Sequence, residues 1–361
     1  MINESKPLFA NRLQDAIAKI DIAPDLQITY SDYPPLMIAK QYQNWIQQMS
    51  PKARDRYLTV KLQQYLYAIF NGDLKPKSDR DRTANADSLL DCDEPQAMVN
   101  CADRWYETKF YSQLTQHNHS RGYKDPGWLL IGKTGNCWQV SKNALTLNID
   151  PQQDLNPSTT ELQIGQTVAI NMPPNLIDRG VYIAVGDAGS PNSSNPRNCV
   201  VQLYFNVNSQ TALLLLDSLT QQLNYLEVPF EFKTPYGEHN FARADAAILE
   251  FTSKDWHKIQ PVIKSIYLKN QAGFQLETPF FCKRLHSGLG LSEKPFMPFD
   301  ERLKNIGHYY CRVAAEAIVN LWKNDENIGR VNLINMKLKE TINLNFLHLN
   351  LNSPDIYQIK F

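Results

Sequence analysis

The stretch Gly127-Trp-Leu-Leu-Ile-Gly-Lys-Thr-Gly-Asn-Cys-Trp-Gln-Val140 decides the fold class, because the hydrophobic pattern changes there. Two short apolar runs, 128–131 and 137–140, flank the turn-forming segment 132–136, which predicts a β-hairpin. Upstream of it, apolar residues recur every three or four positions, as in amphipathic helices. The pattern predicts an α+β fold, with a helical N-terminal part packed on a mixed α+β domain that has a largely antiparallel sheet.

The helical part is predicted to span residues 1–120. Its helices are expected over residues 9–20, 36–49, 51–70 and 94–117. The third is the best defined, since Ser50 supplies an N-cap, Pro51 occupies the first helical position and Gly72 stops the helix. The polar segment 73–93 is expected to form an exposed loop.

The second domain is predicted to span residues 121–361. Beyond the hairpin, strands are expected over residues 167–170, 181–185, 199–205, 230–232 and 246–249. Helices are expected over 211–225, after the Ser253 cap and over 303–322, and Pro261 is expected to interrupt the second of these.

The composition excludes several classes of protein. The 361 residues contain 37 Lys and Arg against 37 Asp and Glu, so no overall positive charge favours nucleic acid or an acidic membrane. No apolar run is long enough to span a membrane, and the N-terminus lacks the pattern of a secretory signal, so a cytoplasmic location is expected. The six cysteines form no CxxC pair and are expected to be reduced.

Two motif matches, to a phosphate-binding loop and to a metal site, lack the sequence context that either site requires. Residues 127–134 fit GxxxxGK[ST], but Trp and branched aliphatic residues separate the glycines and a second β-like run follows, so a phosphate-binding loop is not expected. His117 and His119, like His308 and Glu316, have no further ligand at a suitable spacing. Neither a metal nor an organic cofactor is expected.

The charges are unevenly distributed along the chain. Residues 143–232 contain 2 Lys and Arg against 8 Asp and Glu, whereas residues 233–361 contain 17 against 13. Several cations of the C-terminal part adjoin apolar runs, namely Lys233, Arg243, Lys283, Arg284, His308 and Arg312. Buried cations are costly unless they are paired or bind an anion. Internal salt bridges such as Arg243–Asp245 and Arg312–Glu316 are the alternative explanation.

Several short motifs resemble the HopA-type family, named after a bacterial type III secretion effector. The resemblance runs from about residue 10 to 322. It rests on the order and spacing of Asp32-Tyr-Pro-Pro35, Leu66-Tyr-Ala-Ile-Phe-Asn-Gly72, Asp125-Pro-Gly-Trp128, Gly186-Asp-Ala-Gly-Ser-Pro191, Val201-Gln-Leu-Tyr-Phe-Asn-Val207, Leu219-Thr-Gln-Gln-Leu-Asn224, Pro229-Phe-Glu-Phe-Lys233, Arg243-Ala-Asp-Ala-Ala247, Gly288-Leu-Gly-Leu-Ser-Glu-Lys-Pro295 and Gly307-His-Tyr-Tyr-Cys-Arg-Val-Ala-Ala-Glu316.

The resemblance implies one of two functions. Relatives are secreted effectors, or enzymes of thioamitide and class V lanthipeptide biosynthesis. The second group implies a lyase that removes phosphate from phosphoserine or phosphothreonine of a precursor peptide, giving dehydroalanine or dehydrobutyrine, after a separate Ser/Thr kinase has phosphorylated the peptide. The chain departs from the family pattern at Gln202, where a basic residue is usual, and just before Gly307-His308.

The elimination requires a base for the Cα proton and cations for the leaving phosphate. Lys233 is the predicted general base, and His308 is the predicted acid or phosphate donor. Tyr204 is predicted to support the carbonyl or the leaving group, although acid and base roles are exchangeable among Lys233, Lys283, Tyr204 and His308. Phosphate binding is predicted for Arg243, Lys283 and Arg312.

The alternative is a non-catalytic module that binds a host protein or a peptide. In that case, internal carboxylates are expected to occupy the cations fully. A secreted effector is expected to carry a Ser-rich disordered N-terminal segment, whereas a helix is predicted from Phe9. A kinase gene beside a short Ser/Thr/Cys-rich peptide gene would favour the enzyme.

Overall fold

The structure is a computed structural model. It describes residues 19–30, 33–37, 40–70, 101–155, 162–178, 180–191, 199–238, 240–280, 282–294, 306–323 and 356–359. In these ranges the chain forms seven α-helices and thirteen strands, and the strands pair antiparallel in three sheets. The predicted α+β class is confirmed. The predicted loop 73–93 lies outside the described residues, as does the predicted helix 9–20 up to residue 18.

The N-terminal elements form the first hydrophobic core together with the last helix of the described chain. Strands β1 (Ile20–Ile22) and β2 (Ile28–Tyr30) form a hairpin, so Ile20 is in a strand and not in the predicted helix. Helices α1 (Lys40–Gln48) and α2 (Pro51–Phe70) follow. The buried side of α2 packs against helix α7 (Ile306–Lys323), so chain segments far apart in sequence share this core.

Helix α2 begins and ends where the sequence predicts. The Ser50 hydroxyl accepts a hydrogen bond from the Ala53 amide at 3.4 Å, as an N-cap residue does. In contrast, Leu36 lies before α1 and pairs with Ile28 in an isolated bridge. Helix α3 (Cys101–His117) corresponds to the described part of the predicted helix 94–117.

The predicted hairpin belongs to a four-stranded sheet with the order β5-β4-β3-β6. Its strands are β3 (Tyr123–Thr134), β4 (Cys137–Lys142), β5 (Leu145–Ile149) and β6 (Thr167–Met172), with the short helix α4 (Pro151–Asp154) after β5. Gly135 in the hairpin turn has φ +61°, a conformation that favours glycine. Residues 127–134 are entirely β-strand and lead into β4, which is incompatible with a phosphate-binding loop.

The central sheet has seven strands in the order β12-β13-β9-β11-β10-β8-β7. These strands are β7 (Asn175–Asp178), β8 (Val181–Val185), β9 (Val200–Phe205), β10 (Phe230–Pro235), β11 (Ala247–Thr252), β12 (Lys283–His286) and β13 (Leu289–Glu293). One face of the sheet is apolar and packs against helices α5 (Ser209–Tyr225) and α6 (Trp256–Lys269).

The predicted interruption at Pro261 is wrong. Helix α6 is continuous from Trp256 to Lys269 with Pro261 inside it. Proline removes one backbone donor, but Ile259, Val262 and Ile263 around it are buried in the second core. Their burial compensates for the lost hydrogen bond, as tertiary packing commonly does for a poor helix former.

Candidate functional site

The face of the central sheet opposite α5 and α6 carries polar residues on its four middle strands. Strand register aligns Glu231 of β10 with Glu250 of β11, Glu250 with Gln202 of β9, and Gln202 with Ser292 of β13. The next row, two residues along each strand, consists of Lys233, Ile248, Tyr204 and Gly290. Because residues directly opposite each other share a face, both rows lie on the same side of the sheet.

The polar side chains of these rows form one connected set, here called the sheet network. Glu250 lies at its centre and accepts from Lys233 Nζ at 2.9 Å and from Gln202 Nε2 at 2.8 Å. Its second oxygen lies 3.8 Å from Lys294 Nζ. Lys233 Nζ also lies 2.9 Å from Glu231 Oε2. The sheet network therefore joins two lysines to two carboxylates and balances their charges.

Burial and pairing act in opposite directions on these charges. Burial disfavours the charged form of Lys233, but Glu250 and Glu231 outweigh it, so its pKa is raised. Burial likewise raises the pKa of Glu250, yet Lys233, Lys294 and the Gln202 amide outweigh it and the pKa is lowered. Both groups are therefore ionised in the ligand-free protein at neutral pH.

Tyr204 extends the sheet network toward β13. Its hydroxyl donates to Gln202 Oε1 at 2.9 Å and lies 3.1 Å from Ser292 Oγ. Burial raises the pKa of Tyr204 well above its ordinary value, and Cys282, Asp245 and Glu250 add to this effect. The phenol is therefore neutral, and its side chain is almost completely buried.

A second set, here called the Asp245 cluster, joins the segment before β11 to helices α2 and α7. Arg243 binds Asp245 through two nitrogens, Nε at 2.5 Å and Nη2 at 2.9 Å, and the Tyr67 hydroxyl donates to Asp245 Oδ2 at 2.6 Å. The ring of His308 stacks on Tyr67 with 3.8 Å between centroids. Burial raises the pKa of Asp245, but Arg243, Tyr67 and His308 outweigh burial and lower it.

The Asp245 cluster and the sheet network influence each other electrostatically. The negative charge of Asp245 raises the pKa of Tyr204 and contributes to that of Cys282, which burial raises to about 12. Gly290, opposite Tyr204 on β13, leaves room for the Cys282 side chain. Residues that are far apart in sequence are thus gathered at this face of the sheet.

The six predicted site residues are not all brought together. Lys233 and Tyr204 share the sheet network, and Arg243 and His308 belong to the Asp245 cluster. Arg312 lies one turn beyond His308 on α7 and pairs with Glu316 at 3.0 Å. Lys283 aligns with Leu291, a residue of the apolar face, and its Nζ donates to the Tyr357 carbonyl at 3.2 Å. This register separates Lys283 from Lys233 and Tyr204.

Sequence reasoning did not select Glu231, Glu250, Ser292, Lys294 or Tyr67. The signal for Glu250 is visible in retrospect, because one carboxylate interrupts the apolar strand Ala247–Thr252. Nothing in the sequence indicates that Tyr67 reaches Asp245, since 178 positions separate them. The two predicted salt bridges, Arg243–Asp245 and Arg312–Glu316, are confirmed.

Among the residues that the structure describes, no three or more His, Cys, Asp or Glu side chains are grouped so as to hold a metal ion. Within the same residues, no helix combines the length and apolar character needed to cross a membrane. Four cysteines with described side chains, Cys137, Cys199, Cys282 and Cys311, are free thiols.

Comparison with known proteins identifies one family. Residues 172–351 match the model of the HopA1 effector protein family. Two solved structures of effector proteins are similar, one from Pseudomonas syringae pv. tomato strain DC3000 and one from Pseudomonas syringae pv. syringae strain 61. The first has 12% identity and a TM-score of 0.40, with 79% of this chain and 91% of that chain covered. The second has 13% identity and a TM-score of 0.39, with coverages of 83% and 91%. No curated protein matches.

Proposed function

Because residues 172–351 match the model of the HopA1 effector protein family, we propose that the chain is a HopA-type lyase. It eliminates phosphate from phosphoserine or phosphothreonine of a ribosomal precursor peptide, and a separate Ser/Thr kinase supplies the phosphate. The product is dehydroalanine or dehydrobutyrine. The family match supports the HopA-type assignment, and the reaction is argued from the geometry of the charged residues.

The proposal rests on a difference in solvent exposure between the two side chains of each ion pair. The side chains of Lys233, Lys294 and Arg243 are 23%, 38% and 37% exposed. Their carboxylate partners are nearly buried, Glu250 at 5% and Asp245 at 2%. In these three pairs the cation is more exposed than its carboxylate, whereas Glu231, the second partner of Lys233, is 20% exposed. Such preorganised donors suit a phosphate dianion, which binds best to groups already held in place.

In the proposed reaction, a base removes the Cα proton of the phosphorylated residue. The electron pair of that C–H bond forms the Cα–Cβ double bond, the Cβ–O bond breaks, and phosphate leaves with the electron pair of that bond. Negative charge develops on the neighbouring carbonyl oxygen and on the leaving oxygen. Lysine, arginine and histidine donors at these oxygens lower the barrier because they stabilise charge that grows in the transition state.

Lys233 has two possible roles in this scheme. The ligand-free protein holds it as an ammonium ion, a form suited to donating to phosphate or to the developing enolate. A general base must instead be neutral. Lys233→Arg keeps the charge but cannot supply a neutral base, so activity retained in that variant would assign Lys233 to charge stabilisation. Activity retained in Lys233→Ala would show that Lys233 is neither the general base nor a group that stabilises charge.

The other predicted site residues differ in how well their positions suit contact with a phosphate. Arg243 is a donor suited to phosphate, and Asp245 fixes its guanidinium through Nε and Nη2. His308 and Arg312, four residues apart on α7, are half-buried and present a second pair of donors. Lys283 and Tyr204 have less direct support, because the register places Lys283 on the other face and Tyr204 is buried.

A non-catalytic HopA-type effector or peptide-binding module is the second candidate. It is favoured by the pairing of Lys233, Arg243 and Arg312 with carboxylates, as expected for cations with a structural role. A dianion would have to compete with these partners for the same donors.

Mass spectrometry separates the two candidates. The protein is incubated with a library of synthetic peptides that contain phosphoserine or phosphothreonine. The lyase predicts peptides that lose the mass of phosphoric acid and then add a thiol at the new double bond. Peptides left intact throughout the library would exclude the lyase, and binding without conversion would support the second candidate. A phosphatase contaminant is distinguished because it leaves a hydroxyl group that does not add the thiol.

A further inference from the structure

We infer that Glu250 is a positioning residue, which holds Lys233 and Lys294 toward the solvent, and that Gln202 and Tyr204 keep its carboxylate in place. The inference rests on the proposed function, because it explains how the cations of the sheet network are held for a phosphate. It also changes the role of Tyr204, which becomes part of the support and does not contact the substrate.

Glu250 is the only carboxylate in the described part of the chain that the ion-pair geometry connects to both lysines. Lys233 Nζ lies 2.9 Å from Oε1 of Glu250, and Lys294 Nζ lies 3.8 Å from its Oε2. Glu231 contacts Lys233 but is itself more exposed, at 20% against 5% for Glu250. A buried carboxylate holds a partner more firmly than an exposed one, because water neither screens nor replaces the contact.

The chemistry of Glu250, Gln202 and Tyr204 fixes which group donates and which accepts in each hydrogen bond between them. An ionised carboxylate only accepts, so the Gln202 side chain must turn its NH₂ toward Glu250. Its carbonyl oxygen then faces Tyr204 and accepts from the phenol. The single hydroxyl proton of Tyr204 is used in this contact, and its oxygen is left to accept from Ser292.

These contacts cross three strands of the sheet and leave Tyr204 no proton for a substrate. Gln202 is fully buried and Tyr204 nearly so. Buried polar groups with all partners satisfied make a rigid network, whereas loss of one partner is costly. The chain of donors from Tyr204 through Gln202 to Glu250 therefore fixes the carboxylate against which the lysines are placed.

The test compares three variants in the full chain, Glu250→Gln, Glu231→Gln and Tyr204→Phe. The lysine side-chain signals are recorded by NMR with ¹⁵N-lysine, and the Lys233 signal is assigned through its loss in Lys233→Arg and the Lys294 signal through Lys294→Arg. Glu250→Gln is expected to move the signals of both lysines, whereas Glu231→Gln, the matched control, moves only that of Lys233. This readout needs no substrate, so it remains valid if the protein proves not to be a lyase.

Turnover of a phosphopeptide gives the second readout. Glu250→Gln is expected to lower kcat/KM by about 10- to 100-fold, since small displacements of a catalytic group cost that much. Tyr204→Phe is expected to lower kcat/KM less, because Lys233 and Lys294 keep their ion pairs.

The inference is overturned if Glu250→Gln leaves the Lys294 signal in place, or if Tyr204→Phe impairs turnover more than Glu250→Gln does. Should Glu250→Gln not fold, Gln202→Leu is expected to move both lysine signals, and unchanged signals there would likewise overturn the inference.

Discussion

Asp245 is a nearly buried carboxylate that stays ionised because donors surround it. Arg243 makes two charge-assisted hydrogen bonds to it and Tyr67 makes a third. These contacts outweigh burial and lower its pKa below the ordinary value of 3.8. A carboxyl group whose pKa is lowered by folding stabilises the native state above its unfolded pKa. That stabilisation is lost as the pH falls through the folded pKa.

Asp245→Asn is therefore expected to lower the free energy of unfolding at neutral pH by about 1–3 kcal/mol, the range for hydrogen bonds to a charged group. The difference from wild type should shrink as the pH falls below about 4, because the carboxyl of the unfolded chain then takes up protons while the native carboxyl, with its lowered pKa, stays ionised. Urea denaturation over this pH range measures both effects.

The control for this experiment is Asp217→Asn. Asp217 pairs with His119 in an exposed ion pair, so the substitution should change stability by less than about 0.5 kcal/mol. If Asp245→Asn followed the wild-type pH dependence, the lowered pKa of Asp245 would be contradicted.

Single residues also show what the sequence predicts and what it does not. The cations that adjoin apolar runs were recognisable, and Arg243–Asp245 was predictable because the partners are two residues apart. Glu250, Gln202 and Ser292 come together only through strand register, and Ser292 lies on β13, a strand that the sequence pattern did not reveal. Contacts that depend on the alignment of non-neighbouring strands have no local signature.

At the scale of elements, strand β13 packs closely against the Cys282 side chain because it has a glycine at that point. Gly290 aligns with Tyr204, and a Cβ at this position would overlap the Cys282 sulfur. The Leu289–Glu293 strand follows Gly288 and contains only two apolar side chains, Leu289 and Leu291, beside Gly290, Ser292 and Glu293, so its composition resembles a loop. For this reason composition alone did not predict the strand, although its first four residues are buried.

Gly290→Ala tests this packing. Forcing a methyl group into a filled space is expected to lower the free energy of unfolding by about 1–3 kcal/mol. Cys282→Ala in the same chain removes the overlapping sulfur and should recover part of the loss. Urea denaturation of the two single variants and the double variant gives the coupling between the sites. A Gly290→Ala variant as stable as wild type would show that the strand tolerates a side chain here.

Helices were predicted more completely than strands for a physical reason. Helix α2 has a capping serine before it and a proline at its first position, and both are local signals. The edge strands β7 and β12 have only four residues each and are partly exposed, which leaves little periodicity to detect.

At the scale of the whole molecule, the described C-terminal segment completes the core of the central sheet. Tyr357 is almost fully buried, its ring lies 5.5 Å from Trp256 between centroids, and its hydroxyl donates to Glu293 at 2.9 Å. Its carbonyl accepts from Lys283. Tyr357 thus contacts α6, β12 and β13.

Tyr357→Ala should therefore destabilise the fold by about 3–5 kcal/mol, as for other buried aromatic residues. The neighbouring Ile356 is half exposed, so Ile356→Ala serves as the matched control with a change of less than about 0.5 kcal/mol. Chemical denaturation compares the two variants. Equal stability of both variants would mean that the segment does not contribute to the core.

The balanced total charge conceals a local arrangement. The chain has equal numbers of acidic and basic residues, yet at the site Glu250 and Asp245 are nearly buried while their partners Lys233, Lys294 and Arg243 are more exposed. This arrangement presents positive charge to a ligand without giving the molecule a broad basic surface, which accounts for a local anion site in a neutral protein.

The most direct test of the proposed activity is the intact mass of a phosphothreonine or phosphoserine peptide after incubation with the protein. We expect the loss of phosphoric acid, a product that adds a thiol, and no such product with Lys233→Ala. A peptide library that keeps its phosphate, or that loses it only to leave a hydroxyl group, would contradict the lyase.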